Sequence, residues 1–248
     1  SERSRGLGDV YKRQLLNTLK PLPIISFAPP VKSSFVFSQI ASYVSFHSMK
    51  FFLLSGSHRS NSQSLKVTQH LAQTLEKLGH TTHTYSLEGN PLPLWDEGVW
   101  SNQSPWIEKW TPVASELALC DGLVIVSPEW GGMASPGVKN FLLLLSSSDV
   151  KHKPATLVSV SGSRNGAYPI AELKMTASKN NYLCFTPEHL IVRDVEQVLN
   201  GEEANSEDDQ YIRTRSVYAM KVLVEYAKAL ASVRQSGVID SKNFPFGM

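Results

Sequence analysis

Cysteine is scarce in this 248-residue chain, limited to Cys120 and Cys184. The pair forms no CxxC and no metal-ligand spacing. That excludes a disulfide scaffold and a zinc module, and leaves two buried thiols in a reducing, cytoplasmic setting as the expectation. Long apolar runs are missing too. No stretch approaches the roughly 20 residues needed to cross a bilayer, so no membrane span is expected. Charge of one sign is also lacking. The net charge is +2, and it is unevenly spread: residues 1–48 hold six basic and two acidic side chains, residues 49–248 hold 18 basic and 20 acidic. A body with a slight acidic excess is not that of a nucleic-acid binder. Neither G-x-G-x-x-G nor a Gly-Lys-Ser/Thr phosphate loop occurs, which removes a Rossmann dinucleotide site and an NTPase. No G-x-S-x-G occurs, which removes the nucleophile elbow of a serine hydrolase. His80, His83 and His152 are spaced unlike metal ligands, so no metal is expected.

What is present falls into two parts. Residues 1–48 show no periodic segment, and Pro21, Pro23, Pro29 and Pro30 break any helix longer than about two turns. From Val10 to Ser48 there is no acidic residue. An organellar transit peptide has that composition. Translated upstream sequence is the favoured reading, because GLGDVYKRQ resembles adapter-derived read-through and Met49 is followed at once by an apolar strand. The expected division is therefore a non-native or disordered leader, 1–48, and one folded domain, 49–248.

The folded part alternates strand and helix. Phe51–Leu54, Gly122–Val126 and Thr156–Val160 read as buried strands, with His80–Leu87 an edge strand and Leu183–Phe185 a fifth. Leu65, Thr68, Leu71, Leu75 and Leu78 recur at helical spacing until Gly79. Thr111-Pro112 and Ser135-Pro136 each pair an N-cap with a proline at the first helical position. Ile170–Ser178 reads as a further helix. Val217, Met220, Val224, Ala227 and Ala231 mark a long final one. Five strands alternating with five helices specify a doubly wound α/β domain with a parallel sheet.

In such a sheet ligands bind at the carboxyl ends of strands, and three loops there are rich in small polar residues. The first, Ser55 to Ser64 (SGSHRSNSQS), opens a helix whose N–H groups attract an anion. Its serines add hydroxyl donors, and Arg59 can make a charge-assisted contact with phosphate oxygens. The second, Pro128 to Met133, has paired glycines that let backbone approach a flat ligand, with Trp130 and Met133 as apolar surface. The third, Ser161 to Gly166, offers glycines and small donors. On composition alone each loop is equally an ordinary strand-to-helix connection.

The order of GSHRSNSQS, VIVSPEWGGMASPGVKN and VSVSGSRNGAY after apolar strands resembles the NADPH-dependent FMN reductase family of flavodoxin-like proteins, from about Met49 to about Asn200. The resemblance implies an α/β, flavodoxin-like three-layer sandwich with a five-stranded parallel sheet in order 2-1-3-4-5. It implies FMN bound at the sheet's carboxyl edge. Ser57, Arg59, Ser62 and Ser64 would hold the phosphate, with Gln63 beside them. Pro128, Glu129, Trp130 and Gly131 would line the flavin ring, and Ser161, Gly162 and Gly166 would flank its other edge. The sequence departs from the family where Ser64 replaces Asn, Trp130 replaces Tyr and Gly131 replaces Asn.

The function implied is an NAD(P)H-dependent oxidoreductase. Hydride would pass from NADPH or NADH to bound FMN and on to a small-molecule acceptor such as a flavin, a quinone or an azo dye. No acid–base pair is required of the protein, because the cofactor carries the chemistry. A flavodoxin-type one-electron carrier and a flavin-binding regulatory module are the alternatives. A homodimer or homotetramer is expected, because Leu142 to Leu145 are consecutive on one helix and the family pairs through this region. His58 is expected to face solvent, Cys184 to be core, and the acidic run Glu202, Glu203, Glu207, Asp208, Asp209 to cap the final helix. Trp95, Trp100, Trp106 and Trp110 read as local packing or as a wall toward a partner or nicotinamide.

Overall fold

A computed structural model describes residues 48–101 and 105–247. The leader reading of residues 1–47 lies outside the described residues. The strands are β1 (Lys50–Ser55), β2 (Thr81–Ser86), β3 (Gly122–Trp130), β4 (Met133–Ala134), β5 (Pro154–Val160), β6 (Cys184–Phe185) and β7 (Leu190–Val192). The helices are α1 (Gln63–Lys77), α2 (Pro105–Leu119), α3 (Pro136–Leu144), α4 (Ser147–Val150), α5 (Ala167–Thr176) and α6 (Glu207–Gln235).

The sheet runs β2-β1-β3-β5-β6, with all four of these pairings parallel. Counted by position this is the expected order 2-1-3-4-5. Alternate side chains leave opposite faces of each strand. Phe51, Leu53, Val124, Val126, Val158 and Val160 pack with α1 through Leu71 and Leu75, and with α6 through Met220 and Leu223. Phe52, Leu54, Leu123, Ile125 and Leu157 pack with Leu117 of α2, Phe141 of α3 and Leu173 of α5. Both faces are covered, which is why the central strands read as unbroken apolar runs. No helix among the described residues is long and apolar enough to cross a membrane.

Several local readings are corrected. The fifth position holds two short strands: β6 pairs with Pro154 and Ala155, β7 with Val158 to Val160. Helix α2 starts at Pro105, so Thr111 is no cap and Pro112 lies inside the helix. The helix tolerates it because Pro112 and Glu108, whose carbonyl loses its donor, are both exposed to water. Helix α5 starts at Ala167 behind Gly166, whose φ of 111° stops the preceding turn. The inward face of α1 is Ser64, Val67, Thr68, Leu71 and Leu75. Leu65 and Leu78 are only half-buried. On α6 the expected Met220, Val224 and Ala227 are buried, together with Ile212, Ser216, Ala219 and Leu223, and Val217 is exposed. The Ser135-Pro136 signal is realised: the Ser135 hydroxyl caps the Val138 N–H, with proline opening α3.

The acidic run divides by role. Ser206 is the N-cap of α6, with Glu207, Asp208 and Asp209 in its first turn. Asp209 turns inward and is fully buried. Its carboxylate accepts from the N–H groups of Leu199 at 2.9 Å and Asn205 at 3.2 Å, and from Arg213 Nε at 2.9 Å. Burial alone would raise its pKa, but these donors hold it below the usual aspartate value of 3.8. A depressed folded pKa contributes stability above the unfolded value and loses it as pH falls through the folded one. Asp209→Ala leaves Arg213 without its carboxylate and is expected to cost about 3–5 kcal/mol near pH 7. Urea unfolding should show that gap, and should show it narrowing as pH falls below the ordinary aspartate value toward the depressed folded one, where the wild-type carboxylate takes up its proton.

Candidate active site

Because β1, β3 and β5 are adjacent and parallel, their three following loops stand side by side at one edge of the sheet. The register places Ser55 beside Val126, and Ser127 beside Ser159. The first loop leaves β1 through Gly56, whose N–H donates to the Val126 carbonyl at 2.8 Å. A Cβ on Gly56 would overlap Val138 Cγ2 and the Val126 oxygen. Only glycine fits there. Ser57 is buried, and its hydroxyl accepts from the Arg59 N–H at 3.3 Å. Arg59 is exposed. Ser62 caps α1 by accepting from the Leu65 N–H at 3.1 Å. The Gln63 and Ser64 N–H groups, in the first turn, have no intrahelical acceptor, as at every helix start. Ser64 is buried on the inward face of α1. Its N–H is therefore the group it has to offer a ligand at the helix end.

The second segment is a hairpin rather than an irregular loop. Glu129 pairs with Ala134 and Trp130 with Met133. Gly131 and Gly132 form the two-residue turn with φ of 59° and 74°, the left-handed pair that a tight hairpin demands. The hairpin is tied down at its Glu129–Ala134 end. The Ala134 N–H donates to Glu172 Oε2 at 2.8 Å, and Glu172 Oε1 also takes Lys139 Nζ at 2.8 Å. These bonds, the Lys139 one first, hold the Glu172 pKa below the usual range. Ser135 closes the junction, donating to the Gly56 carbonyl at 2.7 Å while its N–H donates to Ser127 Oγ at 3.1 Å.

The third loop is fastened by β7, the strand that sequence reading missed. The Ser161 N–H donates to the Val192 carbonyl at 2.9 Å, and Arg193 Nε donates to the Arg164 and Asn165 carbonyls at 2.7 and 3.0 Å. Gly166 is required where a Cβ would overlap Ile191.

One feature unites the three segments. Among the described residues, five buried side-chain polar atoms have no hydrogen-bond partner, and four of them stand here: Ser55 Oγ, Gln63 Oε1, Glu129 Oε1 and Ser159 Oγ. The fifth, His70 Nε2, is on α1, where burial first and then the Arg213 and Lys77 charges push the imidazole pKa down to about 4. Buried unpaired polar atoms are rare because they are costly. Ser55 and Ser159 leave opposite faces of the sheet, so the four mark this edge as a whole as a place where a polar ligand would supply partners.

Other expected features sort away from this edge. Trp106 is buried, with Nε1 donating to Asp96 Oδ1 at 3.0 Å, and Trp110 packs edge-on against Phe141 at 5.4 Å. Both are local packing. Burial pushes the Cys120 thiol up to about 11, and Cys184 is half-buried with its pKa also raised by burial. No cluster of three or more metal-binding side chains occurs among the described residues.

The family model for NADPH-dependent FMN reductase matches residues 49–191. The chain belongs to the NADPH-dependent FMN reductase family. That membership brings FMN as cofactor. Over 118 residues the chain is 30% identical to the NADPH azoreductase of Bacillus sp. (strain OY1-2), a match covering 48% of this chain and 62% of the azoreductase. It thus spans less than two thirds of that enzyme's length. Its fold is similar to that of the flavoenzyme NAD(P)H:(acceptor) oxidoreductase FerB of Paracoccus denitrificans, with TM-score 0.57, 17% identity and coverage of 73% of this chain and 98% of that one. It is also similar to the NAD(P)H:quinone oxidoreductase of Methanothermobacter marburgensis, with TM-score 0.52, 14% identity and coverage of 71% and 99%.

The edge fits the cofactor of the NADPH-dependent FMN reductases. An anion finds a helix N-terminus, hydroxyls and Arg59, and the ring system finds unpaired oxygens and a side-chain-free turn. Gly56→Ala is expected to weaken flavin binding and to cost about 1–3 kcal/mol of stability, the usual cost of forcing a methyl into packed space. Urea midpoints and flavin content per purified chain check both effects.

Proposed function

We propose that this chain is an NAD(P)H-dependent FMN oxidoreductase acting on a small planar acceptor, of the flavin, quinone or azo class. The cluster of unpaired buried oxygens at the carboxyl edge carries this reading. The azoreductase relative and the quinone-reducing structural neighbour support the acceptor class. Bound FMN would supply the capacity to take two electrons from a nicotinamide and release them to a second substrate. The protein's part is to bind and orient. Ser57, Ser62, Gln63, Ser64 and Arg59 hold the phosphate, largely through the α1 amides and the guanidinium. Pro128, Glu129, Trp130 and Gly131 would wall the ring, the unpaired Glu129 Oε1 offering it an acceptor. Ser161, Gly162 and Gly166 close the opposite edge. The bare glycine turn leaves room for the nicotinamide and then for the acceptor on one shared face.

A homodimer through α3 belongs to the same reading, in reduced form. Leu142, Leu144 and Leu145 are buried within the chain, so Leu143, 65% exposed, is the leucine left to meet a second copy.

Steady-state NADPH oxidation over a grid of quinone concentrations tests the proposal. The expected result is acceptor-dependent turnover with parallel double-reciprocal lines. A yellow protein with no turnover would instead favour the one-electron carrier or the regulatory module. Arg59→Ala should raise the FMN dissociation constant about 10–150-fold, the loss of one charge-assisted hydrogen bond. An unchanged constant would place the phosphate elsewhere.

A further inference from the structure

His58 lies in the first loop but has no place in the cofactor contacts proposed above. The loop sequence predicts it at the solvent surface. It is exposed, yet its ring stands edge-on to Trp130, with centroids 4.7 Å apart and planes at 64°. This is a favourable aromatic arrangement. Its place in the fold gives it significance. The hairpin is anchored to the sheet through β3 and to α5 through Glu172, both on its Glu129–Ala134 end. Trp130 sits at the other end, one residue from the glycine turn. Two glycines in left-handed geometry supply no side chains to hold that end. On its α5 side, the Tyr168 ring comes within ordinary contact range of the Gly132 Cβ position, at 3.8 Å. On the first-loop side, His58 makes the ring contact with Trp130.

We propose that His58 is the positioning residue for Trp130, an aromatic clamp that fixes the ring wall to the phosphate-holding loop. This rests on the reading of Trp130 as the wall of the flavin site. The clamp joins the two segments that must move together if phosphate and ring are to be held at one spacing. A ligand that orders the first loop then also orders the hairpin, and an ordered hairpin lowers the cost of binding. His58 also lines a cavity of about 310 Å³, with Leu87, Pro91, Leu92, Leu94 and Pro136 among its walls. Open space for a larger planar ring therefore adjoins the imidazole. That makes His58→Phe a sound conservative variant and His58→Ala the disruptive one.

The test compares full-length wild type, His58→Ala and His58→Phe. Amide hydrogen exchange of Trp130 to Ala134 is measured in FMN-free protein, and FMN affinity by titrating the apoprotein. His58→Ala should speed exchange across the hairpin while leaving the exchange of β1 and β5 unchanged. It should raise the FMN dissociation constant roughly two- to twelve-fold, which corresponds to about 0.5–1.5 kcal/mol for an aromatic pair. His58→Phe should restore both. Hairpin exchange identical in His58→Ala and wild type would overturn the clamp. So would a raised dissociation constant that His58→Phe fails to restore. If FMN does not bind wild type, the functional reading fails, while the exchange arm still decides whether His58 holds the hairpin.

Discussion

Everything at the carboxyl edge depends on the parallel pairing of β1, β3 and β5. Parallel strands point their carboxyl ends in one direction, so the connections that follow them must converge. Each strand then needs a helix to return the chain, and the helices cover both faces of the sheet. The same covering leaves the strand ends as the place where backbone and side-chain polar groups escape pairing. Ser55 and Ser159 sit at those ends with unpartnered hydroxyls. A binding site is thus a by-product of the topology, refined by local sequence.

The refinement is carried by a few polar residues that act as rivets. Ser135 holds the first loop, β3 and α3 to one another through three hydrogen bonds. Lys66 reaches from α1 to the Val195 and Val198 carbonyls at 2.7 and 2.8 Å, fixing the chain beyond β7. Lys153 is buried and donates to the Leu117 and Ala118 carbonyls at the C-terminus of α2, where a cation opposes the helix dipole. Burial pushes its pKa down. Such contacts are long-range in sequence and lie in no motif.

That contrast explains what the sequence made legible. The central strands were plain because Phe51–Leu54, Leu123–Val126 and Leu157–Val160 are buried on both faces. The loops were plain because Gly56 and Gly166 are forced by sterics and Ser62 and Ser135 by capping. Pro112 misled because a helix interior admits proline when the orphaned carbonyl is solvated. β7 escaped notice because three residues are too few to show a period. The hairpin was read as a loop because a two-residue strand has none at all. The role of the acidic run was half legible: its place at a helix start is local, but the inward turn of Asp209 depends on Leu199 and Arg213. The His58–Trp130 contact joins residues 72 apart in the chain, beyond the reach of any pattern.

The break between β6 and β7 has a consequence for how the chain behaves in company. This position is one border of the sheet, and an unbroken border strand offers a continuous row of N–H and C=O groups to another molecule. Here the row is cut by Thr186 to His189. Thr186 turns its N–H to the Ala155 carbonyl and its hydroxyl to Glu188, Pro187 has no N–H to give, and Glu188 is engaged by Arg215. A strand from a second chain would meet two residues of pairing, then a proline and a charge. The fold thereby denies aggregation a template on this side, without spending a helix to cover it.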